Sequence, residues 1–98
     1  MSAYVVVDLN IRDREPFMEY VSQVTALIEK HGGRYLVQGA VPEVLHGSEV
    51  PPAHVVVIEF ADIDVARAFF RERAELGLAD LFAGATDSRI LLVEGARG

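Results

Sequence analysis

The chain has 98 residues, 51% of them hydrophobic and 24% charged, and its nine basic and fifteen acidic side chains leave a formal charge of −6. That length suits one domain, residues 1–98, with a core to bury and something further to gain from oligomerisation, while the composition excludes disorder and a coiled coil. The acidic balance, with Lys30 the only lysine, excludes a nucleic-acid partner tracked through its phosphates, and the lack of cysteine excludes disulfides, thiolate chemistry and thiolate-bound metal.

Tyr4 to Leu9 is a β-branched run too short for a helix, ended by turn-forming and charged residues from Asn10 to Arg14. Asp13 is placed to cap a helix, and Pro16 falls in its first turn, where a missing N–H is not needed. Phe17, Tyr20, Val21, Val24, Leu27 and Ile28 then form one apolar stripe at helical spacing. Gly32 supplies the stop, with Lys30 and His31 in the last turn, where cations suit the helix dipole; a positive φ is expected at Gly32 or Gly33.

Arg34 to Gln38 reads as the second strand, with an extension expected through Val44 and Leu45 before the Pro51-Pro52 turn. Val55 to Phe60 is the third strand, Asp62 caps a second helix carrying Val65, Ala66, Phe69 and Phe70, Leu76 to Phe82 suggests a short helical turn, and Arg89 to Glu94 closes as strand four. The second half echoes the first: Val5-Val6-Val7 returns as Val55-Val56-Val57, and Arg34-Tyr35-Leu36-Val37 as Arg89-Ile90-Leu91-Leu92. Two β-α-β units in tandem give βαββαβ, the α+β order of the ferredoxin-like fold, in which a four-stranded antiparallel sheet carries its helices on one face.

Strand alternation then divides the sheet. Val5, Val7, Leu9, Tyr35, Val37, Val56, Ile58, Phe60, Leu91 and Val93 form an all-apolar set expected beneath the helices. The opposite set has an apolar centre in Val6, Leu36, Val57 and Leu92, which water would not cover favourably, so a homodimer through this open face is expected. Strand direction brings Tyr4, Arg34, Glu59 and Glu94 to one end of that face. Two readings stand for this cluster: a ligand-binding group in which Glu59 could act as a base, or ion pairs that finish the rim.

Other chemical signals are sparse. His31, His46 and His54 lack metal-ligand spacing, so no metal is expected. His46, in a Gly/Pro loop, is the lone imidazole with the context of a general base. Gly32-Gly33 precedes a strand and is no phosphate loop, no serine sits in a nucleophile elbow, and no cofactor is expected. Without a leader-like N-terminus or a run near the ~20 apolar residues of a membrane span, a soluble cytoplasmic protein with no membrane partner is expected.

Gly32-Gly33-Arg34-Tyr35-Leu36-Val37-Gln38-Gly39, Val44-Leu45-His46-Gly47, Pro52 to Phe60 and Arg89 to Gly95 together resemble the small bacterial family called domain of unknown function 1330, over nearly the whole chain. The resemblance implies a ferredoxin-like subunit of the dimeric α+β barrel superfamily, whose members include cofactor-independent monooxygenases, isomerases and small-molecule-binding proteins. Arg34 and its flanking glycines match the family's pattern, whereas His46, His54 and Phe70 stand where its members commonly carry other residues. Two functions follow: a barrel that binds a small, partly apolar molecule, with monooxygenase- or isomerase-like chemistry, or a noncatalytic dimeric module.

Overall fold

The computed structural model describes residues 1–96 and runs β1 (Ala3–Ile11), α1 (Arg14–Lys30), β2 (Arg34–Ala40), β3 (His54–Phe60), α2 (Ile63–Glu75), α3 (Leu78–Ala85) and β4 (Thr86–Glu94). The four strands form one antiparallel sheet in the order β2-β3-β1-β4, the ferredoxin-like arrangement expected from the two β-α-β units. The segment after Ala40 is not strand, contrary to the expected extension through Val44 and Leu45. Gly39, at φ +84°, starts a bulge that ends regular pairing, and Pro42 has no N–H with which to resume it.

Helix ends follow local chemistry. Asp62 accepts a hydrogen bond from the Val65 N–H at 2.8 Å and so caps α2, whereas Asp13 holds the cap position of α1 without a side-chain bond. Beyond α1, Gly32 takes φ +71°, its N–H bonds the Glu29 carbonyl at 3.0 Å, and the Gly33 N–H bonds the Ile28 carbonyl at 2.9 Å. This is a Schellman stop, with two orphan carbonyls of the last turn satisfied. The carbonyls ending α3 are held by its neighbours: the Arg12 guanidinium donates to Ala83 at 2.7 Å, and the Thr86 hydroxyl to Phe82 at 2.9 Å.

The core lies between the sheet and the helices. Tyr20, Val24, Leu27 and Ile28 of α1 and Phe69 of α2 pack with Val5, Val7, Leu9, Ile58 and Phe60. Glu72 joins the two long helices at the surface, accepting from Lys30 Nζ at 2.7 Å and lying 3.1 Å from His31 Nε2. The Lys30 hydrogen bond holds the Glu72 carboxyl below its ordinary range, against the upward push of partial burial and with help from His31.

Register corrects the expected faces at two strands. Val5 pairs with Leu92 and Val7 with Ile90, so Ile90 and Leu92 face the helices and Leu91 and Val93 face outward, the reverse of the sequence assignment. In β2, bulges between Tyr35 and Val37 and between Gln38 and Ala40 shift the phase, placing Val37 opposite Val57 and Gln38 opposite Val56. The open face is therefore centred on Val6, Leu36, Val57 and Leu91, and Leu92 is not part of it.

Candidate functional site

A cavity of about 310 Å³ separates α1 from the sheet. Its walls are almost wholly apolar: Val5, Val7 and Leu9 of β1, Phe17, Val21 and Val24 of α1, Val56 and Ile58 of β3, and Phe69 and Phe70 of α2. The strand residues reach it because they share the helix-facing side of the sheet, and the β2 bulge turns Gln38 into it as well. The volume and lining fall in the range of small-molecule sites, which combine apolar walls with a few placed polar groups.

Those polar groups come from four elements. His54, the first residue of β3, sits opposite Leu9 and lines the cavity beside Gln38 and Gly39. Its Nδ1 lies 2.9 Å from the Gly39 carbonyl oxygen, which can only accept, so Nδ1 carries a proton and, whenever the ring is neutral, Nε2 is the acceptor. Tyr35 of β2 shares a 3.2 Å hydrogen bond with Thr25 of α1.

Arg73 is the unusual one. It is 7% exposed on α2, and its Nε donates to the Tyr20 hydroxyl at 3.0 Å. Its guanidinium carbon lies 5.2 Å from the Phe82 ring centroid, 5.5 Å from Tyr20 and 5.6 Å from Phe70, a three-ring cage that stabilises a cation through ring faces. Among the described residues no carboxylate pairs with it, and its two terminal nitrogens have no hydrogen-bond acceptor. Burial pushes the Tyr20 phenol above its ordinary pKa, against the lowering pull of Arg73, so the hydroxyl stays protonated and, having accepted from Nε, still has its own proton to donate.

The residues singled out in the sequence lie elsewhere. Arg34 Nε binds Glu59 Oε1 at 2.8 Å across β2 and β3 on the open face, where Tyr4 sits opposite Glu59 on β1. Glu94 does not join them, because it pairs with Ala3 and so falls on the other side of the sheet. His46 is exposed in the segment between β2 and β3, and neither it nor Glu59 lines the cavity. Arg73 went unread in the sequence although its signal is present: Ala66, Phe69, Phe70 and Arg73 follow i, i+3, i+4 and i+7, and an arginine stands where the stripe calls for another apolar residue. Among the described residues no cluster of His, Cys, Asp and Glu is arranged to hold a metal ion, and no helix is long and apolar enough to cross a membrane.

Fold and cavity together define a ferredoxin-like α+β protein with an apolar chamber between sheet and helices. The chain belongs to the family described as domain of unknown function (DUF1330), whose model matches residues 2–96. A comparison with curated proteins yields no match. Among solved structures it is similar to a protein of unknown function from Rhodopseudomonas palustris, with 16% identity, a TM-score of 0.79, and coverage of 99% of this chain and 84% of that one. It is similar also to a variant of SnoaB, a cofactor-independent oxygenase from Streptomyces nogalater, with 15% identity, a TM-score of 0.68, and coverage of 99% and 95%. A dimeric protein of unknown function with a ferredoxin-like fold from Bacteroides fragilis has 14% identity, a TM-score of 0.52, and coverage of 96% of each chain.

Proposed function

We propose that this protein binds a small, largely apolar molecule in the cavity between its sheet and α1, and that it does so as a homodimer joined through the open sheet face. The observation that carries the reading is the cavity itself, about 310 Å³ of space walled by aliphatic and aromatic side chains. Cores ordinarily fill such space to crystal-like density, and leaving it open forfeits dispersion contacts that a ligand would restore.

Assembly is supported by the outward side of the sheet. Leu36, Leu91 and Val93 remain 45%, 42% and 46% exposed in the protomer, next to Val6 and Val57, and a second copy would remove this patch from water. The Arg34–Glu59 pair at one end of the patch and the Asp8–Arg89 pair, 2.8 Å apart, at the other then form its polar rim, with Tyr4 beside the first. One domain with a chamber of its own suffices for each subunit.

Similarity to a cofactor-independent oxygenase suggests chemistry that begins with removal of a proton from the bound molecule. The side chain equipped for that step is His54, whose acceptor nitrogen is set by the Gly39 carbonyl and whose ring lines the cavity.

The test uses prodan, an uncharged naphthalene fluorophore whose emission moves to the blue in apolar surroundings. The wild-type protein should shift it, and Val21→Trp, which places an indole into the cavity from a partly buried position, should abolish the shift without lowering the unfolding midpoint. No shift with wild-type protein at millimolar concentration would refute occupancy of the cavity.

A further inference from the structure

Arg73 and Tyr20 carry the reading further, to the chemical class of the ligand. A guanidinium that is 7% exposed, with no carboxylate partner among the described residues, has lost most of its hydration without a counter-charge to offset the loss. Its aromatic cage accounts for part of the compensation but contributes no hydrogen-bond acceptor to the terminal nitrogens. Those nitrogens are not sealed off: among the described residues no side-chain nitrogen or oxygen is wholly buried without a partner, and Arg73 lines both the cavity and an open hollow shared with Arg12, Thr86 and Asp87, whose carboxylate pairs with Arg12 at 3.2 Å.

We propose that the cavity selects a weak organic acid, an aromatic or alicyclic body carrying one carboxylate, with the anion held by the Arg73 terminal nitrogens and the Tyr20 hydroxyl proton. The inference rests on the cavity being a ligand site. Geometry suits it: a planar fork matches a carboxylate with two parallel bonds, and the 3.0 Å bond from Nε to Tyr20 fixes the plane of the fork before a ligand arrives. Tyr20 is itself held at 4.8 Å from Phe82 and 6.4 Å from Phe17, so both donors are preorganised by packing. The apolar walls then take the body of the acid, and the surrounding low dielectric strengthens the charged contact. The overall charge of −6 works against adventitious anions at the surface, so selection falls to Arg73, the one buried cation among the described residues.

The experiment compares 2-naphthoate with its uncharged methyl ester by isothermal titration at neutral pH, on wild type, Arg73→Met and Tyr20→Phe. Wild type should prefer the acid by about tenfold or more, the range expected of charge-assisted hydrogen bonds. Arg73→Met should erase the preference while leaving ester affinity within about threefold, since it keeps the apolar stem and loses the donors. Tyr20→Phe should reduce the preference in part. Because a variant at a buried position can fail to fold, the Nε–H resonance of Arg73 is followed in wild type as well: the acid should shift it and the ester should not. Equal binding of acid and ester overturns the anion assignment and leaves the cavity reading standing. Binding of neither probe overturns the cavity reading and this inference with it.

Discussion

The turn between α1 and β2 allows two adjacent glycines to be told apart by mechanism. At Gly33 an added Cβ would lie 2.6 Å from Phe60 Cε1 and 2.9 Å from Ile28 Cγ2, short of the ~3.5 Å at which carbons pack. Neither neighbour can retreat, for Phe60 is 1% and Ile28 2% exposed and both belong to the core. Gly33→Ala is therefore an overpacking change and should cost about 1 to 3 kcal/mol. At Gly32 nothing lies within 4 Å of the added carbon, and the whole cost is conformational: φ is +71°, where a Cβ meets the local backbone at about 1 to 2 kcal/mol. Asparagine tolerates that region, so Gly32→Asn should recover much of the loss. For a domain of this size 1 kcal/mol corresponds to roughly 4 to 8 °C in melting temperature, well within calorimetric resolution. Urea midpoints of the three variants decide the matter. A Gly33→Ala protein as stable as wild type, or a Gly32→Asn protein no better than Gly32→Ala, would refute the reasoning.

Three further outcomes are expected. Val57→Lys and Leu91→Lys should each convert the proposed dimer into a folded monomer, because a lysine buried at the proposed interface without a partner is strongly unfavourable; sedimentation velocity showing wild type already monomeric at micromolar concentration would remove the basis for both. Glu72→Gln should lower the melting temperature at neutral pH. The carboxyl's folded pKa is depressed, so its contribution is present above its unfolded value and is lost as pH falls through the folded one; a gap between variant and wild type that persists in strong acid would contradict this linkage. Arg34→Met should reduce stability by less than about 1 kcal/mol, since the arginine side chain is 71% exposed, and urea denaturation showing a larger loss would mean that the pair is held in a drier setting than the protomer provides.

The order of elements, the α1 stripe, the Asp62 cap and the glycine stop were all legible in the sequence, because each depends on a local period or on a residue with one conformational habit. What escaped depended on pairing across the sheet. Ile90, Leu91, Leu92 and Val93 are apolar on both parities, so nothing within β4 says which pair faces the helices; hydrogen bonding to β1 settles it, and with it the removal of Glu94 from the rim and the replacement of Leu92 by Leu91 on the open face. The two bulges in β2 likewise shift alternation without a change of composition, sending Gln38 into the cavity and Val37 away from the helix side. Arg73 shows the same division at the site. Its place on the buried stripe of α2 could be counted from the sequence, but its lack of a carboxylate partner among the described residues and its three-ring cage arise only where α1, α2 and α3 meet, bringing together side chains as far apart as Tyr20 and Phe82. A chain encodes periodicity residue by residue, whereas a cavity and the charge within it belong to surfaces that become neighbours only on folding.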